Sequence, residues 1–169
     1  MLNDRIEPQW LAAFERVFEL CKIERDTSVA LLAETQSRTL NLELARLALA
    51  RRGVAACQVI VPTPPQTAPV PIRSTGACQA LNGQAAALAA LKASHVVVDL
   101  TVEGLLHAPQ LPEILGAGAR VMMISNEHPE ALERLVPVAE DEAVAKTAIK
   151  ACRNASTLQI GRASCRERV

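Results

Sequence analysis

The chain has 169 residues, half of them hydrophobic and only 2% aromatic, which suits one domain whose core is built from aliphatic side chains. Lysine plus arginine equals aspartate plus glutamate, at 18 each. This balance gives no reason to expect a nucleic-acid partner or an anionic membrane surface as a partner.

Apolar periodicity alternates between helical and strand-like segments along the chain. An opening helix follows Pro8, with an apolar stripe from Trp10 to Cys21. Strands alternating with helices imply right-handed crossovers, so we predict a doubly wound, mostly parallel α/β sheet with helices on both faces, a Rossmann-like domain. The later elements are predicted, in chain order, as strand 28–33, helix 41–52, strand 54–61, a proline-rich loop 62–74, helix 76–92, strand 96–100, helix 109–115, strand 120–124, and helices 129–135 and 140–152.

The last ten residues, 160–169, read as the translation of a sequencing-library adapter. We therefore predict that residues 1–159 are a truncated N-terminal α/β domain of a longer protein, and that residues 160–169 are a non-native tail. Removing the tail's three arginines and one glutamate leaves 15 basic and 17 acidic residues, a net charge of −2. The alternative is a natural arginine-rich tail.

The four cysteines before the tail contain no Cys-x-x-Cys pair, and their apolar neighbours predict buried, reduced thiols. The sequence shows no signal peptide and no apolar run of the ~18 residues that a membrane span needs, so we expect a cytoplasmic protein. No pair of histidines has metal-ligand spacing, so a complete metal site cannot be assembled from these residues. The cysteines are Cys21, Cys57, Cys78 and Cys152.

The stretch from His95 to His107 is the most informative part of the chain. Val96, Val97 and Val98 form a β-branched run typical of a parallel strand buried on both faces. Because open α/β sheets bind ligands beyond the carboxyl ends of their strands, the residues after Asp99 are the first candidates for chemistry.

His107 is the best chemical candidate, since histidine titrates near neutral pH and here follows an apolar wall. The alternative is a surface histidine that caps the helix beginning at Pro109. Asp99 or Glu103 could orient the imidazole, although a carboxylate at a strand end more often caps a neighbouring helix, the role we favour. The next strand brings Ser125, Asn126 and Glu127 to the same edge, whereas His95 and His128 are expected to be structural or solvated.

A set of spaced positions forms a recognisable pattern: Ser74, Thr75, Ala77, Cys78, Ala80, Leu81, Gly83, Ala89, Leu91, Val97, Val98, Asp99, Leu105, Leu106, His107, Glu113, Ile114, Leu115, Gly118, Arg120, Glu127, Pro129, Glu130 and Leu132. This pattern resembles the 2,5-dihydroxypyridine 5,6-dioxygenase family, whose fold is akin to the aminopeptidase T metallopeptidases. The resemblance runs from about the opening helix to Leu135 or beyond.

This resemblance implies a non-haem Fe(II) dioxygenase of the extradiol type, which adds both atoms of O2 to a hydroxylated heteroaromatic ring. The family's iron ligands, two histidines and one carboxylate, lie in its C-terminal domain and match no residue here, so we expect this fragment alone to be inactive. The family's Leu-His pair matches Leu106, which would pack against the ring, and His107, which would take the ring hydroxyl proton. The implied partners are a small aromatic substrate and O2, and we expect the full-length protein to be a homo-oligomer.

Two other functions stay open at this point. A related metallo-aminopeptidase would need a two-metal cluster outside this sequence, and Leu106 and His107 would then only form a wall. A small Rossmann-like binding module without enzymatic activity would be complete at this length.

Overall fold

A computed structural model describes residues 5–65 and 78–157 of the chain. In that part of the chain, helices and strands alternate from the first helix to the last strand. Four strands are present: β1 Val29–Glu34, β2 Ala56–Val61, β3 Val96–Asp99 and β4 Arg120–Met123. Six helices accompany them: α1 Pro8–Leu20, α2 Thr39–Arg51, α3 Ala85–Lys92, α4 Leu111–Gly116, α5 Pro129–Leu135 and α6 Ala139–Asn154.

The four strands form one parallel sheet in the order β2-β1-β3-β4. The chain moves outward from β1 to β2, then crosses back over β1 to place β3 on its other side. Leu32 of β1 is in register with Asp99 of β3, and Asp99 with Met123 of β4. The reversal of direction between β1 and β3 is a topological switch point, the place where open α/β sheets form a ligand crevice.

Each face of the sheet is covered by helices, as predicted for a doubly wound fold. One cluster packs Val29, Leu31 and Val98 beneath α1 and α2, with Phe14 and Leu44 fully buried. The opposite cluster packs Ala30, Leu32 and Val97 beneath α3 and α4. Alternate residues of β1 and β3 therefore serve the two cores, and this explains why both strands are apolar without a polar face.

The predicted helix over 76–92 is too long, since α3 begins only at Ala85. Gly83, at a φ of +72°, interrupts the helical path, and the chain before it forms turns. Cys78 and Leu81 are nevertheless buried in the second core cluster, so their helix-like spacing reflects packing of a loop. Residues 66–77, which include most of the proline-rich loop and the start of the predicted helix, lie outside the described part.

The prediction of four buried thiols is wrong for two of them. All four cysteines are free, but Cys57 on edge strand β2 and Cys152 on α6 are exposed, Cys21 is partly buried, and only Cys78 is buried. Apolar neighbours in the sequence therefore do not ensure that a thiol is buried. Cys57 is exposed on an outer strand of the sheet, and Cys152 lies on α6, which has no buried side chains.

The chain divides into two compact units, residues 1–136 and 137–169. In the second unit, α6 has exposed side chains throughout, and its surface includes an ion pair between Lys146 and Glu142 at 2.6 Å. In the described residues, no helix has both the length and the apolar character required to cross a bilayer.

Candidate functional site

The candidate site lies at the switch point, beyond the carboxyl ends of β1 and β3. β1 ends at Glu34 and β3 at Asp99, and both carboxylate residues are buried, with 5% and 0% of their surface exposed. The sequence pattern pointed to Asp99 but not to Glu34. The available signal was an acidic residue at the end of an otherwise apolar strand.

Asp99 binds the loop that follows its own strand. Its Oδ1 accepts hydrogen bonds from the Thr101 amide at 3.0 Å and the Thr101 hydroxyl at 2.6 Å, and its Oδ2 accepts one from the Leu105 amide at 2.6 Å. Burial raises the pKa of Asp99, and these three hydrogen bonds act in the opposite direction. The expected role as a cap of a neighbouring helix is therefore wrong, because the carboxylate caps a loop.

Glu34 reaches the same loop from β1. Its Oε1 accepts a hydrogen bond from the Val102 amide at 3.0 Å. Burial raises the pKa of Glu34, the hydrogen bonds from Val102 and Thr63 lower it, and the nearby charges of Asp99 and Glu103 raise it. Two buried carboxylates from neighbouring strands thus hold one short loop, and Glu34 reaches it because β1 lies beside β3.

Leu106 and His107 are the exposed centre of a tight turn at the end of this loop. The Ala108 amide donates to the Leu105 carbonyl oxygen at 2.9 Å, which closes the turn. Leu105 and Ala108 are buried in the core under α3 and α4, whereas Leu106 is 62% exposed and His107 is also exposed. The turn therefore exposes the side chains of Leu106 and His107 to solvent, while Leu105 and Ala108 anchor it in the core.

His107 does not cap the following helix. That helix begins at Leu111, and its N-cap is Gln110. The predicted capping contact is therefore wrong, whereas His107 is a surface residue, as that alternative also held.

The loop after β4 lies at the same edge but is tied to α2. Asn126 Oδ1 accepts a hydrogen bond from the Arg38 amide at 2.6 Å. Buried Asn41 donates through Nδ2 to the carbonyl oxygen of Glu127 at 2.8 Å and, at 3.4 Å, to that of Ser125. These contacts tie the β4 loop to the start of α2 through the Asn126 side chain and the carbonyl oxygens of Ser125 and Glu127.

The other two histidines have structural contacts, as expected. Ser28 and His95 lie just before β1 and β3, at the end of the strands opposite to the candidate site. The Ser28 amide donates to Nδ1 of His95 at 3.1 Å, and the His95 amide donates to Oγ of Ser28 at 2.9 Å. His128 accepts the Glu130 amide at the start of α5 and packs edge-to-face on Trp10, with ring centres 5.1 Å apart.

Among residues 5–65 and 78–157, no three histidine, cysteine, aspartate or glutamate side chains come close enough together to hold a metal ion. Glu34 and Asp99 both use their oxygens to bind loop amides. This part of the chain therefore does not fit an iron site.

The parallel sheet and its loop at the switch point define a doubly wound α/β domain of the kind that binds ligands at this edge. The chain belongs to the 2,5-dihydroxypyridine 5,6-dioxygenase (NicX) family, whose sequence profile matches residues 9–165. The family resemblance read from the sequence is thereby confirmed. The matched range ends inside residues 160–169, and the foreign origin of that tail stays a prediction.

A solved structure is also similar to this chain, that of 2,5-dihydroxypyridine dioxygenase from Pseudomonas putida KT2440. The two share 30% sequence identity and superpose with a TM-score of 0.73. The similarity covers 87% of this chain but 43% of the other, so the present chain spans less than half the length of that protein. A search of the curated proteins found no match.

Proposed function

We propose that this chain is the N-terminal part of an Fe(II)-dependent dioxygenase that opens the ring of 2,5-dihydroxypyridine or a similar hydroxylated heteroaromatic. The family match over residues 9–165 carries the proposal. The solved dioxygenase supports it through both fold and sequence identity. In this proposal the complete protein is cytoplasmic and homo-oligomeric and takes O2 as its second substrate. The present chain alone is expected to be inactive.

In this proposal His107 is the base that takes the proton of the ring hydroxyl. The hydroxyl O–H bond breaks, an N–H bond forms on the imidazole, and the ring keeps the negative charge. An electron-rich ring reacts more readily with oxygen, and a base that titrates near the working pH transfers the proton most efficiently. The exposure of His107 on a closed turn, with Leu105 and Ala108 anchored in the core, supports this role.

Leu106 is proposed to pack against the substrate ring. Leu106 precedes His107 on the turn and is 62% exposed, whereas Ala108, which follows His107, is buried. Covering an exposed leucine with a flat apolar surface lowers the free energy of the complex. As the family resemblance implies, the proposal assigns the Fe(II) ligands to a C-terminal domain that this sequence does not contain, and the described residues bring together no group that could hold a metal ion.

The test uses protein expressed from the complete gene, purified without oxygen and supplied with Fe(II). Loss of 2,5-dihydroxypyridine absorbance is followed after oxygen is added. We expect His107→Ala to lower kcat by about 10²- to 10⁴-fold, the usual contribution of a general base, with unchanged iron content.

His95→Ala is the matched control, because His95 binds Ser28 at the opposite end of the strands. It is expected to cost about 1 kcal/mol of stability and to leave kcat unchanged. A wild-type kcat in His107→Ala would contradict the role of His107 as the base. Release of amino acids from peptides, without turnover of the pyridine, would instead identify a metallo-aminopeptidase.

A further inference from the structure

The loop between β3 and the turn at 105–108 is held by side-chain oxygens at four of its amides. Asp99 accepts from Thr101 and Leu105, and Glu34 accepts from Val102. The Thr101 hydroxyl, which donates to Asp99, also accepts a hydrogen bond from the Gly104 amide at 3.1 Å. A network this complete fixes the backbone path of a short loop that has no regular structure.

Asp99 is the centre of this network but cannot reach a substrate, since its side chain is fully buried. Its Oδ2 contacts the Leu105 amide at 2.6 Å. Leu105 is the first residue of the turn, and its carbonyl oxygen accepts the Ala108 amide that closes it. The carboxylate therefore sets where the turn begins, two residues before His107.

Gly104 brings this loop against the β4 loop. Its φ is +74°, and a Cβ at this position would lie 2.6 Å from the Ser125 hydroxyl oxygen and 3.7 Å from Asp99 Oδ2. The backbone amide of Ser125 also donates to the Asp99 carbonyl oxygen at 2.9 Å. The loop is thus confined on one side by the buried carboxylate and on the other by Ser125.

We propose that Asp99 is a positioning residue of the reaction proposed above: by binding Thr101 and Leu105 it holds the turn so that the His107 imidazole meets the ring hydroxyl. This inference rests on the proposed function. A shift of about 1 Å in a reacting group can cost 10²-fold in rate, so a loosened turn is expected to matter even though Asp99 touches no substrate.

The first test is kinetic and uses the complete, iron-loaded enzyme. In Asp99→Asn one carboxylate oxygen becomes an NH2 group, which cannot accept a hydrogen bond from an amide. We expect kcat to fall by about 10- to 100-fold, with KM within about twofold of the wild type. Thr101→Val, which keeps the Asp99 charge but loses the bridging hydroxyl, should lower kcat in the same direction, and Thr101→Ser should restore it.

A double-mutant cycle separates positioning from general support of the fold. If Asp99 acts through His107, Asp99→Asn lowers kcat by less than about twofold when His107 is already alanine. Equal losses in both backgrounds would overturn the inference while leaving the role of His107 intact. Wild-type turnover in His107→Ala would overturn the proposed function and this inference together.

Amide hydrogen exchange in the 169-residue chain gives a readout that does not depend on turnover. We expect Asp99→Asn to accelerate exchange at Leu105 and Gly104 while β1 and β3 stay protected. Ile23→Val, a buried change between α1 and β1, is the control for overall destabilisation and should leave exchange at Leu105 unchanged. Unchanged exchange at Leu105 in Asp99→Asn would overturn the inference.

Discussion

At the level of single residues, Gly104 occupies a crowded point of the loop that presents the candidate site. Its positive φ is unfavourable for a residue with a Cβ, and the Ser125 hydroxyl oxygen would be only 2.6 Å from that Cβ. Gly83 has nearly the same φ, +72°, but, apart from its two chain neighbours, no atom of the described residues lies within 4 Å of its added Cβ. The two glycines therefore separate the cost of backbone conformation from the cost of contact.

We expect Gly83→Ala to lower the free energy of unfolding by about 1 kcal/mol and Gly104→Ala by about 2 kcal/mol. The difference is the cost of displacing the Ser125 hydroxyl. Urea unfolding measures both variants, and the extra cost should disappear when Ser125→Ala is combined with Gly104→Ala. Equal costs for the two single variants would show that Ser125 does not confine the loop.

Leu106 provides a second residue-scale prediction, which rests on the proposed packing against a substrate ring. Removing an exposed side chain that is covered only in the complex weakens ground-state and transition-state binding alike, so KM rises while kcat is retained. We expect Leu106→Ala to raise KM about tenfold in the complete enzyme, because roughly half of a leucine's burial energy is lost.

Leu115 on α4 is the matched control for Leu106, since it is also an exposed leucine, at 49%. Leu115→Ala should leave KM and kcat unchanged. A similar rise in KM for both variants would point to a general effect on the protein and would remove the assignment of Leu106 to the ring contact.

At the level of elements, the sequence pattern located each strand found in residues 5–65 and 78–157 but not always the helix boundaries. The residues from Cys78 to Lys92 carry the apolar spacing of one helix, yet only Ala85–Lys92 is helical. The left-handed conformation of Gly83 stops the helix, and tertiary packing, not helix formation, buries Cys78 and Leu81. Periodicity alone cannot distinguish these two causes of burial.

The strands also differ in a way that local sequence does not show. β3 is fully buried, whereas β2 exposes Gln58 and Ile60 because it forms an edge of the sheet. Both segments are rich in apolar and β-branched residues. Which strand becomes central depends on the crossover from β2 to β3, a choice made by long-range packing.

At the level of the whole molecule, two buried carboxylates make stability depend on pH. Burial raises the pKa of both Glu34 and Asp99, so the folded protein binds their protons more tightly than the unfolded chain does. This contribution to stability is greatest below the ordinary carboxyl pKa of about 4 and declines as pH rises to the raised values.

Glu34→Gln removes one of these two groups while keeping an oxygen that can accept the Val102 amide. We expect the free energy of unfolding of this variant, relative to wild type, to increase as pH rises from about 4 through the weakly acidic range. Urea unfolding at a series of pH values measures the difference. Ile23→Val, which removes no titratable group, should differ from wild type by the same amount at every pH, and a decline for Glu34→Gln would refute the prediction.

The sequence by itself determined the alternation of helices and strands, and hence the doubly wound α/β class. It also directed attention to Asp99, Leu106 and His107. The fold class, Asp99 and His107 follow from local hydrophobic periodicity and from the general rule that ligands bind beyond parallel strand ends, whereas Leu106 was indicated by the family resemblance.

Only the tertiary structure decided how that edge is built. The hydrogen bond from Val102 to Glu34 joins residues 68 positions apart and depends on β1 lying beside β3. The contact of Gly104 with Ser125 depends likewise on β4 lying beside β3. Strand order is set by the packing of two cores, one on each face of the sheet, and local sequence patterns do not encode which distant residues those cores bring together.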